Sequence, residues 1–284
     1  MENKVLKGKP VADKLTEKII SEVEDIFGQT GKKPTLAMVR VGNREDDLSY
    51  QRAASNRCKK CGIDTVVVEL DENCSMDEYI DSLEKLNGDT SVTAILCFRP
   101  LPKGLDEDVI KNIISPEKDV DCFSPINLAK LFSGEKDGFV PCTPMGVVEI
   151  LDFYGIDVEG KNVVVIGRSM VVGKPLSIML TNRNATVTIC HSKSKNLSEI
   201  CSKADILISC IGVGRFVKKE FVREGAVVID VGINFDEDGN MMGDVDYDEV
   251  LDQSGGITPV PGGVGAVTTS ILASQVLKAF KNTL

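Results

Sequence analysis

The residues best suited to chemistry in this chain gather in Gly167-Arg168-Ser169-Met170-Val171-Val172-Gly173-Lys174-Pro175. A β-branched run, Val163 to Ile166, leads into them and reads as a buried parallel strand. Gly167 permits the sharp exit from that strand, and Gly173 permits close backbone approach where the next helix begins. Pro175 suits a first helical turn, where its missing N–H costs nothing. A helix N-terminus behind a Gly-bounded turn is an anion site, so a dinucleotide pyrophosphate is the ligand that fits it. The spacing departs from the common G-x-G-x-x-G, and a plain tight turn has the same spacing. The next strand, Ala185 to Cys190, ends in His191-Ser192-Lys193-Ser194-Lys195, with no acid to hold a ribose 2′-hydroxyl. Hydroxyls and two lysines suit a 2′-phosphate, which favours NADP over NAD; a solvated basic loop is the plainer alternative.

Other chemistries are narrowed by composition. His191 is the only histidine, which excludes multi-His metal sites and His-based triads, and no metal centre is expected. Nine scattered cysteines fit a reducing cytosol rather than a disulfide framework. Cys58-Lys59-Lys60-Cys61 has the spacing of a zinc or redox pair, but it lies in a helical pattern without a second pair, so neither role is expected. The net charge of −10 argues against nucleic acid or an anionic membrane as partner. No apolar run approaches the ~20 residues of a membrane span, and the start lacks a signal-peptide pattern.

The elements that must position these residues alternate. An amphipathic helix is predicted over Pro10 to Phe27, with Val11, Leu15, Ile19, Val23 and Ile26 on one face. Strands are predicted at Leu36–Val41, Thr65–Leu70 and Val92–Phe98. Between them lie a helix to about Cys61, closed by Gly62, and one opened by the capping pair Ser75 and Glu78 and running through Leu86. A short helix is expected over Asp106 to Ile114, then an irregular stretch through Pro125. Thr143 is expected to cap a helix from Pro144 to Tyr154. Strands at Asp205–Cys210 and Ala226–Val231 would bring a second parallel sheet to four strands. Ligands of such sheets collect at the carboxyl ends of the strands, so Gly167–Gly173, Ile211–Gly214 and Gly232–Asn234 should share a crevice. Phe235 to Asp246 reads as a surface excursion. Thr258-Pro259-Val260-Pro261-Gly262-Gly263-Val264-Gly265 demands a special backbone path before a closing helix over Thr268 to Lys281. It serves either as a tight turn or as bare backbone offered to a ligand. The fold class is α/β, in two domains divided near residue 140, each a mainly parallel sheet with flanking helices.

Five stretches, in order, resemble the bifunctional methylenetetrahydrofolate dehydrogenase/cyclohydrolases of one-carbon metabolism. They are Lys118-Asp119-Val120-Asp121, Pro141-Cys142-Thr143-Pro144, Val165 through Pro175, Ile229 through Asn234, and Thr258 through Gly265. The resemblance implies a folate-binding domain over 1–140, completed by the helix at 267–284, and a Rossmann-like NADP-binding domain over 141–266. It implies a homodimer with folate in a cleft. Carried over by position, Tyr50 would lie against the pterin and Asp121 would accept hydrogen bonds from its amino edge. Pro100, Leu101, Pro261, Gly262 and Gly263 would line the folate. Gly167, Arg168, Ser169, Gly173, Ser192 and Ile233 would hold the cofactor, with Lys193 beside the 2′-phosphate.

Two departures stand out. The family's catalytic Lys, four residues after the helix Tyr, is here Ala54. The Gln before its Leu-Pro-Leu-Pro turn is Phe98, and that turn reads Arg99-Pro100-Leu101-Pro102. Asp47 also stands where Ser is frequent. Hydride transfer mainly needs donor and acceptor aligned, whereas water addition needs a general acid/base. The expectation is an NADP-dependent dehydrogenase whose cyclohydrolase activity is weak, absent or run by other groups, with Tyr50 and Asp121 the polar groups left near the folate and Asp46 or Asp47 as further acids. The alternatives are a fully bifunctional enzyme, a two-domain dehydrogenase acting on a shikimate-like acid, and a non-catalytic folate or nucleotide binder.

Overall fold

The computed structural model describes residues 4–284. It divides into two compact units: the first comprises Lys14–Cys142 and Thr269–Leu284, the second Thr143–Thr268 and the described residues up to Asp13.

The chain opens with α1 (Gly8–Thr30), whose Val11, Ile19 and Val23 are buried as their spacing requires. β1 (Thr35–Val41), α2 (Glu45–Lys60), β2 (Asp64–Leu70), α3 (Met76–Gly88) and β3 (Ala94–Cys97) follow. The strands form a parallel sheet in the order β2-β1-β3. β1 is central and almost wholly buried, while the edge strand β2 is buried at no position. Ser75 caps α3: its Oγ accepts the Glu78 N–H at 3.2 Å, and Glu78 accepts the Ser75 N–H at 2.7 Å. Ala37, Val39, Tyr79, Leu83, Ile95 and Phe123 belong to the core beneath this sheet.

Two local expectations change here. The helix expected over Asp106 to Ile114 shrinks to α4 (Glu107–Ile110), capped by Asp106, and continues as turns. The stretch through Pro125, read as irregular, ends in α5 (Pro125–Ser133). Ser124 accepts the Ile126 N–H at 3.2 Å, Pro125 takes the first turn, and Gly134 at φ 79° stops the helix.

The second unit holds α6 (Cys142–Phe153), β4 (Asn162–Ile166), α7 (Gly173–Thr181), β5 (Thr186–Cys190), α8 (Leu197–Cys201), β6 (Ile206–Ser209) and β7 (Val227–Asp230). After them come a small hairpin of β8 (Asn234–Phe235) and β9 (Met241–Met242), α9 (Tyr247–Leu251) and β10 (Gly256–Ile257). α10 (Thr268–Lys281) closes the chain in the first unit. Because α6 already begins at Cys142, Thr143 lies within its first turn instead of capping it. The parallel sheet has five strands, not four, in the order β10-β7-β6-β4-β5. The added strand, β10, has two residues, too few to show a pattern. Its Ile257 also receives the Leu6 N–H at 2.8 Å and donates to Lys4 at 2.7 Å. That pairing ties the described residues before α1 to the second unit, whereas the sequence reading grouped them with residues 1–140.

Candidate active site

In the first unit, α2 carries Tyr50 and Ala54 one turn apart on one face. The Tyr50 and Phe98 rings meet edge to face, with centroids 6.0 Å apart and planes at 75°. Ala54 is 0% exposed and Phe98 7%. The positions that would carry the family's Lys and Gln are therefore both buried and apolar. Lys59 and Lys60 are exposed in the last turn of the helix. Cys58 and Cys61 are both buried, and burial pushes the Cys58 thiol up to about 12. Asp47 is held by Arg44 through two contacts of 2.8 Å, so its oxygens serve the start of α2.

Beyond β3 the chain turns at the cis peptide between Arg99 and Pro100, and Glu107 accepts the Leu101 N–H at 2.9 Å. Pro100 is exposed and Leu101 half-buried. Asp121 lies on a loop that the buried Asp119 organises by accepting the N–H groups of Phe123 and Ser124 at 2.9 and 2.8 Å and the Asn127 amide at 2.9 Å. Burial pushes the Asp119 carboxyl up, against these hydrogen bonds. Asp121 receives the Cys142 N–H on Oδ1 at 2.9 Å, and Arg99 Nη2 lies 3.5 Å from its Oδ2. The Arg99 guanidinium carbon is 4.4 Å from the centre of the Phe123 ring. Arg99 and Phe123 were not singled out as site residues from sequence; the substitution of Arg into a Leu-Pro-Leu-Pro turn was the available signal.

In the second unit, the loop after β4 is pressed against its neighbours. Gly167, at φ 132°, donates its N–H to Cys190 at 2.9 Å, and a Cβ on it would lie 2.5 Å from Cys210 Sγ. A Cβ on Gly173 would lie 2.2 Å from the Gly167 oxygen. Both glycines are required by backbone proximity. Ser169 Oγ accepts the Val172 N–H at 3.1 Å and so shapes the approach to α7. Arg168 is exposed and forms no hydrogen bond or ion pair among the described residues. The loop after β5 folds on itself: Ser194 accepts the His191 N–H at 3.0 Å, and His191 Nδ1 accepts the Lys193 N–H at 3.1 Å. Ser192 and Lys193 are left exposed.

The sheet order places the crossover between β4 and β6, where ligands of such sheets bind. Ile233 is 55% exposed, and a Cβ on Gly265 would lie 3.9 Å from its Cδ1. The structure thus brings Gly167, Cys210, Ile233 and Gly265 to one end of this sheet. Val260–Pro261 is a cis bond, Gly262 has φ 102°, and Gly262 accepts the Gly8 N–H at 2.8 Å. A Cβ on Gly263 would lie 2.5 Å from the Pro259 oxygen. A cavity of about 690 Å³ borders Pro261, Gly262, Lys7 and Asp230.

Two buried acids went unrecognised in the sequence. Asp244, in the stretch read as a surface excursion, is 0% exposed. It accepts N–H groups of Ile211 and Val213 at 2.7 and 2.9 Å, the Ser209 hydroxyl at 3.0 Å and the Asn234 amide at 3.1 Å. Asp230 accepts the N–H groups of Gly232, Asp244 and Val245 at 3.0, 3.0 and 2.8 Å. Together they pin the loops after β6 and β7. Only their flanking glycines hinted at this: a Cβ on Gly232 or Gly243 would fall about 2 Å from these carboxylates.

A parallel five-stranded sheet with a glycine-tight loop at its crossover defines a nucleotide-binding α/β protein, here with a second α/β unit beside it in the chain. The chain belongs to the tetrahydrofolate dehydrogenase/cyclohydrolase family. The catalytic-domain model of that family matches residues 6–121, and its NAD(P)-binding-domain model matches residues 141–284. A relative from Clostridioides difficile, named bifunctional protein FolD, is 60% identical over 277 residues, which is 98% of this chain and 96% of the relative. The solved FolD methylenetetrahydrofolate dehydrogenase/cyclohydrolase of Campylobacter jejuni is 41% identical, with a TM-score of 0.96 over 99% of both chains. The Trypanosoma brucei enzyme, solved with NADP cofactor and inhibitor, is 34% identical, with a TM-score of 0.94 over 99% of this chain and 98% of its own. Among the described residues no helix is long and apolar enough to cross a membrane.

Proposed function

We propose that this chain oxidises 5,10-methylenetetrahydrofolate to 5,10-methenyltetrahydrofolate with NADP, and that hydrolysis of the product to 10-formyltetrahydrofolate is strongly diminished. The observation that carries this reading is the pairing of an intact Tyr50 and Asp121 with an apolar Ala54 and Phe98.

The second unit's residues fit the cofactor. Gly167 and Gly173 let the loop fold tightly on itself at the start of α7, the anion-binding end of a helix, where a pyrophosphate fits. Arg168 has its donors free, and no acid lies between His191 and Lys195 to repel a 2′-phosphate. Ser192 and Lys193 add exposed donors beside it. NADP, when bound, accepts the hydride. The chain's part is alignment: Ile233 and Gly173 border the cofactor, Tyr50 lies against the pterin, and Asp121 accepts from its amino edge. Pro100 and Leu101, in the same unit as Tyr50 and Asp121, line the folate.

Hydrolysis asks for more. Water must lose a proton as it adds to the methenyl carbon, and neither Ala54 nor Phe98 can take one. The name of the C. difficile relative favours a second reading, in which both activities persist and Asp121 or Tyr50 handles the proton. A homodimer and a cytosolic location complete the proposal.

Paired assays on one purified sample test it. One follows NADPH formation from methylenetetrahydrofolate; the other follows loss of methenyltetrahydrofolate above spontaneous hydrolysis. Reduction without hydrolysis is the expected result. Hydrolysis as fast as reduction would establish the second reading, and absence of both would leave a binding protein.

A further inference from the structure

Arg99 is the one cation beside Asp121 in the described ion pairs, and it occupies a position where the family pattern has leucine. Its side chain is 16% exposed, and that of Asp121 is 26% exposed. The guanidinium is braced on two sides, by the Phe123 ring at 4.4 Å and by Asp121 Oδ2 at 3.5 Å. A guanidinium has five N–H donors. Among the described residues its only hydrogen bond is the one to Asp121. The remaining donors are thus held in place without a protein acceptor.

A pterin presents an acceptor, the 4-oxo group, beside two donors, N3–H and the 2-amino group. A carboxylate and a guanidinium side by side present the matching row of acceptors and donors. The apolar Ala54 and Phe98 offer the 4-oxo group nothing, and a carbonyl buried without a donor is costly.

We propose that Arg99 is a specificity-determining residue for the folate, donating to the pterin 4-oxo group while Asp121 accepts from the N3–H and 2-amino edge. This rests on the folate reading above. The pair selects a 4-oxo pterin over a 2,4-diaminopterin, because a 4-amino group would point a donor at the donors of Arg99.

The test compares dissociation constants for tetrahydrofolate and its 4-amino-4-deoxy counterpart, by calorimetry on the full chain. The wild type is expected to prefer the 4-oxo compound by about tenfold or more. Arg99→Met, which retains apolar contact with Phe123, should reduce the preference several-fold, leaving the part that Asp121 draws from N3–H, while the KM for NADP stays put. Arg99→Lys should keep most of the preference. If Arg99→Met fails to fold, Arg99→Leu is read in its place. A wild-type preference retained in either apolar variant overturns the assignment. A wild type that binds neither compound overturns the folate reading itself, a separate result.

Discussion

The Asp230 carboxylate accepts the N–H of Asp244 at 3.0 Å, and Asp244 in turn holds Ile211 and Val213, so one acid positions the other. Among the described residues neither forms an ion pair. Burial pushes the Asp230 carboxyl up to about 7, its three backbone donors oppose that, and the neighbouring Asp244 charge adds to it. Unfolded, Asp230 titrates near ~4. Between ~4 and about 7 the folded chain keeps a proton that the unfolded chain has released, so stability falls as pH rises through that window. The slope from this one group is at most about 1.4 kcal/mol per pH unit, fully favourable below ~4 and lost above about 7. Urea midpoints of the wild type should therefore decline relative to those of Asp230→Asn from about pH 5 to about pH 7. Parallel curves would mean that Asp230 is ionised throughout.

Ala54→Lys combined with Phe98→Gln restores a proton-carrying pair to these two buried positions. The double variant should hydrolyse methenyltetrahydrofolate about 10²-fold faster than the wild type, the scale of one general acid/base. Ala54→Lys alone places an ammonium in a fully buried position and should cost about 2 kcal/mol of stability with little gain in hydrolysis. Equal hydrolysis by wild type and double variant would remove the two apolar residues from the explanation.

Gly173→Ala forces a methyl group onto the Gly167 oxygen. Either the loop or the start of α7 must shift, at a cost of about 1–3 kcal/mol. The KM for NADP should rise about tenfold, with a smaller change in the KM for folate. Unchanged cofactor kinetics would show that this loop does not touch the pyrophosphate.

Arg168→Ala should weaken NADP by about tenfold and leave NAD nearly unchanged, because a charge-assisted contact to the 2′-phosphate is lost. The ratio of kcat/KM for the two cofactors is the readout. If the ratio holds, the 2′-phosphate belongs to Ser192 and Lys193 instead.

Legibility followed the length of the pattern. α1 and the buried β1 and β4 announce themselves because apolar spacing repeats over many residues. The capping box at Ser75 and Glu78 was readable because its hydrogen bonds are local. β10 was not, since two residues carry no period and its partners, Val227 and Val228, lie far back in the chain. α5 was hidden by Pro125, which marks a helix start as well as a break. At the site, the glycines of the β4 loop were legible because each glycine signals close backbone. Asp244 was not: polar neighbours suggested surface, and only the folded chain delivers the donors that pay for burying it. Arg99 was visible as an oddity, but its contact with Phe123 needed coordinates.

The hydrogen bond from Leu6 to Ile257 has a temporal meaning. During synthesis Leu6 must wait for Ile257 before its partner exists. The first unit waits too, because α10 supplies its final piece. Neither unit closes until the residues from Gly256 onward have been made, so both cores stay unfinished while the preceding elements are synthesised. Such high contact order makes folding slow and makes truncated chains prone to aggregate.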